Sequence, residues 1–147
     1  MPTRTSHCHC EDLPLKKLFL FAAALLAIPA AFAQSSAKST GWTPYDAQSF
    51  ERTRAAKRTL VVDVHADWCP TCRAQAPILD ELRKDRRLRN VSFVRVDWDD
   101  DKDFVRRYRV ARQSTILVFR DGKEADRSIA ETDRARLRAF VLTAARP

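Results

Sequence analysis

Glycine is nearly absent from this chain, with 2 in 147 residues. That scarcity excludes a glycine-rich loop cradling a phosphate, which needs several glycines in one turn. Histidine is almost as scarce at 3, and cysteine stands at 4. No internal repeat or low-complexity tract is present, so repeat arrays are excluded. Acidic residues are outnumbered, 19 against 27 basic ones, for a formal net charge of +8. The basic residues are spread through Arg83 to Arg89, Arg106 to Arg112 and Arg134 to Arg138. At helical spacing these are solvated faces, which favour acidic partners or anionic membrane surfaces and not a nucleic acid.

What is present begins with a leader. Lys16 and Lys17 precede an apolar run from Leu18 to Ala33 that ends in Ala31-Phe32-Ala33. A positive flank, an apolar stretch and a small-residue exit describe a secretory signal peptide. The run contains Pro29 and is shorter than the ~20 residues of a bilayer span, so an uncleaved anchor is the lesser reading. The expectation is a signal peptide over 1–33, a flexible linker over 34–42 and one domain over 43–147. Cleavage after Ala33 removes His7, Cys8, His9 and Cys10. Cys69 and Cys72 are then the remaining cysteines, and His65 the remaining histidine. A structural disulfide framework needs more pairs at wider spacing. A bridge over two intervening residues closes too small a loop to stabilise much. The pair therefore points to chemistry.

Periodicity predicts the elements. A helix is expected from about Tyr45 to Lys57, with Ala47, Phe50, Arg54 and Ala55 on a partly apolar face. Thr59 to Ala66 is valine-rich enough for a central strand. Pro70 suits a first helical turn, and Ala74, Ile78 and Leu82 carry that helix to Arg86, with Pro77 inside it as a kink. Val91 to Trp98 is a strand, and Asp99 to Tyr108 a short helix with Phe104, Val105 and Tyr108 inward. Thr115 to Arg120, the turn Asp121-Gly122 and Lys123 to Ile129 form a hairpin. Thr132 to Ala145 is a final helix, with Ala135, Leu137, Phe140, Val141 and Leu142 inward. Strand–helix–strand order implies parallel pairing with helices on both faces, and the hairpin adds an antiparallel edge. The fold class is α/β, with a central mixed sheet.

Trp68-Cys69-Pro70-Thr71-Cys72 falls at a strand-to-helix junction. There a sulfur meets unsatisfied backbone N–H groups and the positive end of the helix dipole, both of which favour thiolate. Cys69, on the outer and exposed side, is the expected nucleophile. Cys72, one turn deeper, is expected to resolve the mixed disulfide.

The stretch Leu60 to Pro77 (LVVDVHADWCPTCRAQAP) closely resembles the active-site signature of the thioredoxin superfamily, and the similarity continues through Val91 to Trp98 and Tyr108 to Gly122. The resemblance implies a thioredoxin fold and an exported, periplasmic thiol–disulfide oxidoreductase, acting as a monomer on disulfide or dithiol proteins. It implies a soluble or membrane-bound redox partner, no cofactor and no metal. Asp63 matches the family's buried acid behind the pair, assisting proton transfer at Cys72. Burial raises a carboxyl pKa, which suits a proton carrier near neutral pH. Trp68, Pro70, Thr71, Gln113 and Ser114 are expected to meet substrate. Ser114 stands where the family has a cis-proline, so the loop is either trans or strained, and its hydroxyl could hydrogen-bond a sulfur. His65 replaces a common aromatic. It either favours the Cys69 thiolate or has no role. Arg95 either approaches Asp63 or is a solvated edge residue.

Two other readings stand beside the redox one. A metal or iron–sulfur site would use Cys69 and Cys72 as half a ligand set, completed by carboxylates or by a second chain in a bridged cluster. A redox-inert binding module on the same fold is the other. Within the redox reading, Pro70-Thr71 is neither the Pro-His of strong DsbA-type oxidants nor the Gly-Pro of general thioredoxins. The compact length and overall pattern resemble small periplasmic reductants, which favours the reducing direction.

Overall fold

The computed structural model describes residues 41–146. The signal peptide over 1–33 and all but the end of the expected linker lie outside them. Five strands, β1 (Thr43–Pro44), β2 (Leu60–His65), β3 (Ser92–Asp97), β4 (Thr115–Arg120) and β5 (Lys123–Ile129), form one sheet in the order β1-β3-β2-β4-β5. β3 runs parallel to both β1 and β2, while β4 is antiparallel to β2 and to β5. This is the expected mixed sheet with an antiparallel edge.

The two-residue strand period divides the core. Val61 of β2, Phe93 of β3 and Ile116 and Val118 of β4 pack under Ile78, Leu79, Leu82, Leu137 and Val141. Those helical residues come from α2 (Pro70–Lys84) and α4 (Arg134–Ala144). Leu60, Val62 and Val64 of β2, with Val94, Val96, Leu117 and Phe119, face the other way onto Phe50 and Phe104. Those two rings come from α1 (Ala47–Ala55) and α3 (Lys102–Arg107). Each face of the sheet therefore has its own apolar layer and its own pair of helices.

Several boundaries differ from the sequence expectation, each for a local reason. β1 was not anticipated, because two exposed residues leave no periodicity, and its Pro44 is tolerable because it sits at an edge. α1 starts two residues later than expected because Asp46 caps it, accepting the Ser49 N–H at 2.8 Å. Ala47 and Ala55 are exposed, leaving Phe50 as the anchor of that helix. α2 stops at Lys84, after which Asp85 caps a single 3-10 turn over Arg86–Leu88. α3 begins at Lys102 instead of Asp99. Asp97 Oδ1 accepts the N–H groups of Asp99 and Asp100, and Asp101 Oδ2 accepts that of Asp97. Such side-chain-to-backbone bonds offer the chain a turn in place of a helix. α4 starts at Arg134 behind an Asp133 cap. Its Ala135 is exposed, while Leu137 and Val141 are buried. Trp42, placed at the end of the expected linker, lies edge-on to Phe93 and donates its indole N–H to Asp80 at 2.9 Å.

Candidate functional site

β2 ends at His65, and the chain turns through Ala66 to Trp68 before α2 begins at Pro70. The turn is closed by the Cys69 N–H donating to the Ala66 carbonyl at 3.1 Å. Cys69 is the N-cap of α2, and its Sγ accepts the Cys72 N–H at 3.3 Å. A sulfur thus takes the place of the usual Ser or Asp oxygen and receives the field of the helix start. Both cysteines are free thiols.

Ser114 completes the arrangement from the loop before β4. Its Oγ lies 3.1 Å from the Cys69 sulfur and 3.1 Å from the Cys72 sulfur. The described residues contain no cis peptide bond, so Gln113–Ser114 is trans. Ser114 instead adopts φ +64°, a left-handed conformation that a non-glycine residue holds only when its surroundings enforce it. They do so here on both sides. Ser114 donates its N–H to the Val64 carbonyl at 2.8 Å, and its carbonyl accepts the Ala130 N–H at 2.9 Å and Gln75 Nε2 at 3.3 Å. Gln75 also donates to the Glu131 carbonyl at 3.0 Å, tying the loops at both ends of the hairpin to α2.

Cys69 departs from the expected exposure. It is 2% exposed, clustered with Ala66 and Cys72 beneath Trp98. Its neighbours Asp67, Trp68 and Pro70 are exposed, so the sulfur lies just under the surface. Burial opposes its ionisation. The Ser114 hydroxyl and the N–H groups of Cys72 and Thr71 outweigh that and bring the thiol from 9.0 down to about 7. Cys72 moves the other way: burial raises it, the neighbouring Cys69 sulfur adds to this, and Ser114 opposes it in part. One sulfur is thus poised as thiolate and its partner held as thiol.

Behind the pair, Asp63 is 1% exposed on β2, and burial raises its pKa against the opposing pull of Arg95 and His65. Arg95 stands opposite Asp63 in the β2–β3 register and donates through Nε and Nη2 to Asp63 Oδ2 at 3.1 and 3.0 Å. Its guanidinium also lies over the Trp42 ring, 4.5 Å from the centroid. Arg95 is therefore a partner of Asp63 and not a solvated edge residue. His65 is directed to carboxylates. Its Nδ1 is 3.7 Å from Asp63 Oδ2 and its Nε2 3.4 Å from Asp67 Oδ1, and neither contact reaches a sulfur. At the surface, Trp68 is 57% exposed, its indole N–H fixed by Asp99 Oδ2 at 2.7 Å. Pro70 is exposed, and Thr71 and Gln113 are half-buried.

The structure thus brings Cys69, Cys72, Ser114 and their neighbours to one end of the sheet, with Asp63 in the layer beneath. Sequence reasoning missed Gln75, Trp98 and Asp99. Gln75 had left a signal, since it continues the inward stripe of Cys72, Leu79 and Leu82 as its one amide.

The family model described as Thioredoxin matches residues 42–143, from the start of β1 into α4. The chain is 30% identical over 82 residues to a thioredoxin H-type of Fagopyrum esculentum, covering 56% of this chain and 69% of that protein. It is 35% identical over 79 residues to a thioredoxin of Echinococcus granulosus, covering 54% and 72%. Among solved structures, Trxlp from Edwardsiella tarda EIB202 superposes with a TM-score of 0.64 at 36% identity, over 66% of this chain and 94% of that one.

Proposed function

Since the chain belongs to the thioredoxin family and is a thiol–disulfide oxidoreductase, we propose that it reduces disulfides of exported proteins through Cys69 and Cys72. The observation that carries this reading is one hydroxyl within hydrogen-bonding reach of both sulfurs, which together with the N–H groups of the helix start brings Cys69 down to about 7. The strong oxidant DsbA stabilises its thiolate much further, to a pKa of about 3.5, whereas thioredoxin, a reductant, keeps its own at about 7.

The Cys69 thiolate attacks one sulfur of a substrate disulfide, forming a mixed disulfide and releasing a substrate thiolate. The Cys72 thiol gives its proton to Asp63 and attacks the Cys69 sulfur. The second substrate thiolate leaves, and a Cys69–Cys72 disulfide remains. A dithiol protein, soluble or membrane-bound, returns that disulfide to two thiols. The surface formed by Trp68, Pro70, Thr71 and Gln113 receives the substrate, while Ser114, expected from the sequence to meet it, is fully buried and acts on the sulfurs from beneath. The apolar run before Ala33 supports export to the periplasm, and a mature N-terminus at Gln34 by mass spectrometry is the check.

Dithiothreitol-driven reduction of insulin tests the central reading. The native chain is expected to turn over, Cys69→Ser to be inert, and Cys72→Ser to accumulate a mixed disulfide. A potential for the pair near that of thioredoxin, about −270 mV, supports reduction, while one near −120 mV assigns it to oxidation. Undiminished turnover in Cys69→Ser would end the reading.

A further inference from the structure

The steps above leave a proton on Asp63, which is buried, and it has to reach water before the next cycle. Arg95 holds Asp63 Oδ2 but has no lone pair with which to take a proton. His65 does. Its imidazole stands between the buried Asp63 and the fully exposed Asp67, with Nδ1 3.7 Å from the first carboxylate and Nε2 3.4 Å from the second. The side chain is itself 13% exposed. Asp63 Oδ1 and His65 Nδ1 are moreover both buried with no hydrogen-bond partner among the described residues. Two such atoms on one face of β2, an acceptor on the carboxylate and a nitrogen able to carry a proton on the imidazole that approaches it, ask for an explanation.

The other charged groups near the imidazole are already engaged. On β3, Asp97 lies opposite His65 in register, but its Oδ1 accepts the N–H groups of Asp99 and Asp100. On α2, Asp80 binds Trp42 and Arg83, and Arg73 donates to the Asp67 carbonyl. β4 presents the uncharged Thr115 and Ile116 along this part of β2.

We propose that His65 is the proton exit of Asp63. Nδ1 accepts the proton that Asp63 has taken from Cys72, and the imidazolium then loses its Nε2 proton to Asp67 or the water around it. The ring resets when rotation about its Cβ–Cγ bond carries the Nδ1 proton from its buried position to the water side, where it leaves and Nε2 is reprotonated, so no charge accumulates and no electron moves. Proton entry during oxidation of a dithiol substrate follows the same line in reverse. The inference rests on the reading that Cys72 resolves the mixed disulfide through Asp63. His65 acts through Asp63 and not on a sulfur, which makes it a positioning and relay residue.

The test follows single-turnover oxidation of the reduced protein by a peptide disulfide, read by tryptophan fluorescence. It is run across the neutral pH range at low and high concentrations of imidazole buffer, for the native chain, His65→Gln and His65→Phe. In the native chain the resolution rate should not depend on buffer concentration. Both variants should slow on the order of tenfold in dilute buffer, less than the loss of a direct acid–base group. They should also lose the corresponding limb of the pH profile and recover as imidazole is added, with Cys69 alkylation unchanged. Native-like rates and pH profiles in the variants would overturn the proposal, as would a slowing that added imidazole leaves untouched. A native chain whose own rate climbs with buffer has no internal exit, and this also overturns it, whether or not the variants fold. A native chain that the peptide disulfide cannot oxidise at all sinks the oxidoreductase reading itself, which is a distinguishable result.

Discussion

The two faces of β2 are made from alternate residues of one short strand, yet they are built to different ends. Leu60, Val62 and Val64 face an apolar layer in which Phe50, Phe104 and Phe119 meet edge to face at centroid distances of 5.2 and 5.4 Å, with Tyr45 and Tyr108 beside them. Among the described residues no charge is buried there. Val61, Asp63 and His65 face α2, where a carboxyl, an imidazole and the amide of Gln75 are buried or nearly so, and each keeps one atom without a partner. Burying polar groups incompletely paired costs stability. Both faces hold the fold together through their apolar layers, but the face toward α2 gives up some of that stability to keep proton-carrying groups beneath the cysteines.

This contrast can be broken from either side. The largest effect belongs to the aromatic face. Phe104→Ala removes a ring that is fully buried and stacks with Tyr45, Phe50 and Tyr108, and should cost about 3–5 kcal/mol in denaturant unfolding. Insulin reduction at low temperature should survive in the fraction that stays folded.

Asp63→Asn should do the opposite and stabilise the protein. Burial places the native Asp63 pKa above its value in the unfolded chain. Its favourable contribution is complete below the ordinary carboxylate range and is lost as pH rises through the native value. Asparagine does not titrate, so the variant should gain on the native chain as pH rises, by about 1–3 kcal/mol at neutral pH, while resolution by Cys72 slows. Melting curves at several pH values check the sign, and a gap that narrows with rising pH would refute it.

The smallest effect on stability lies at the sulfurs. Ser114→Ala deletes a hydrogen bond to a charged sulfur, worth about 1.5–3 kcal/mol. Alkylation of Cys69 at pH 7 should therefore fall by about tenfold or somewhat more, with little change in melting temperature.

Much of this division was legible in the sequence. The alternation in LVVDVH set a buried strand with an acid inside it, and Cys69-Pro70 at the following helix start marked the reacting sulfur. The bounds of β4 and β5 were readable to the residue because the Asp121-Gly122 turn separates them, but the bulge that shifts their register between Val118 and Phe119 was not. Contacts between distant segments were not legible. Nothing local to Ser114 says that its hydroxyl reaches both sulfurs, because that depends on a left-handed backbone held by Val64, Ala130 and Gln75. The cover over Cys69 was missed for the same reason, since Trp98 arrives from the end of β3. The imidazole of His65 gave its residue type away but not its neighbours, and those neighbours proved to be carboxylates.

Attack on a substrate disulfide requires a Cys69 sulfur ionised near neutrality by Ser114 and by its helix start. The direct measurement is the pH dependence of Cys69 alkylation in the reduced protein, with Cys72→Ser as the control in which Cys69 stands without its partner sulfur. A midpoint near 7 is the predicted result. A midpoint at or above the ordinary 9.0 would contradict it, because the sulfur would then be a buried thiol with no means of attack.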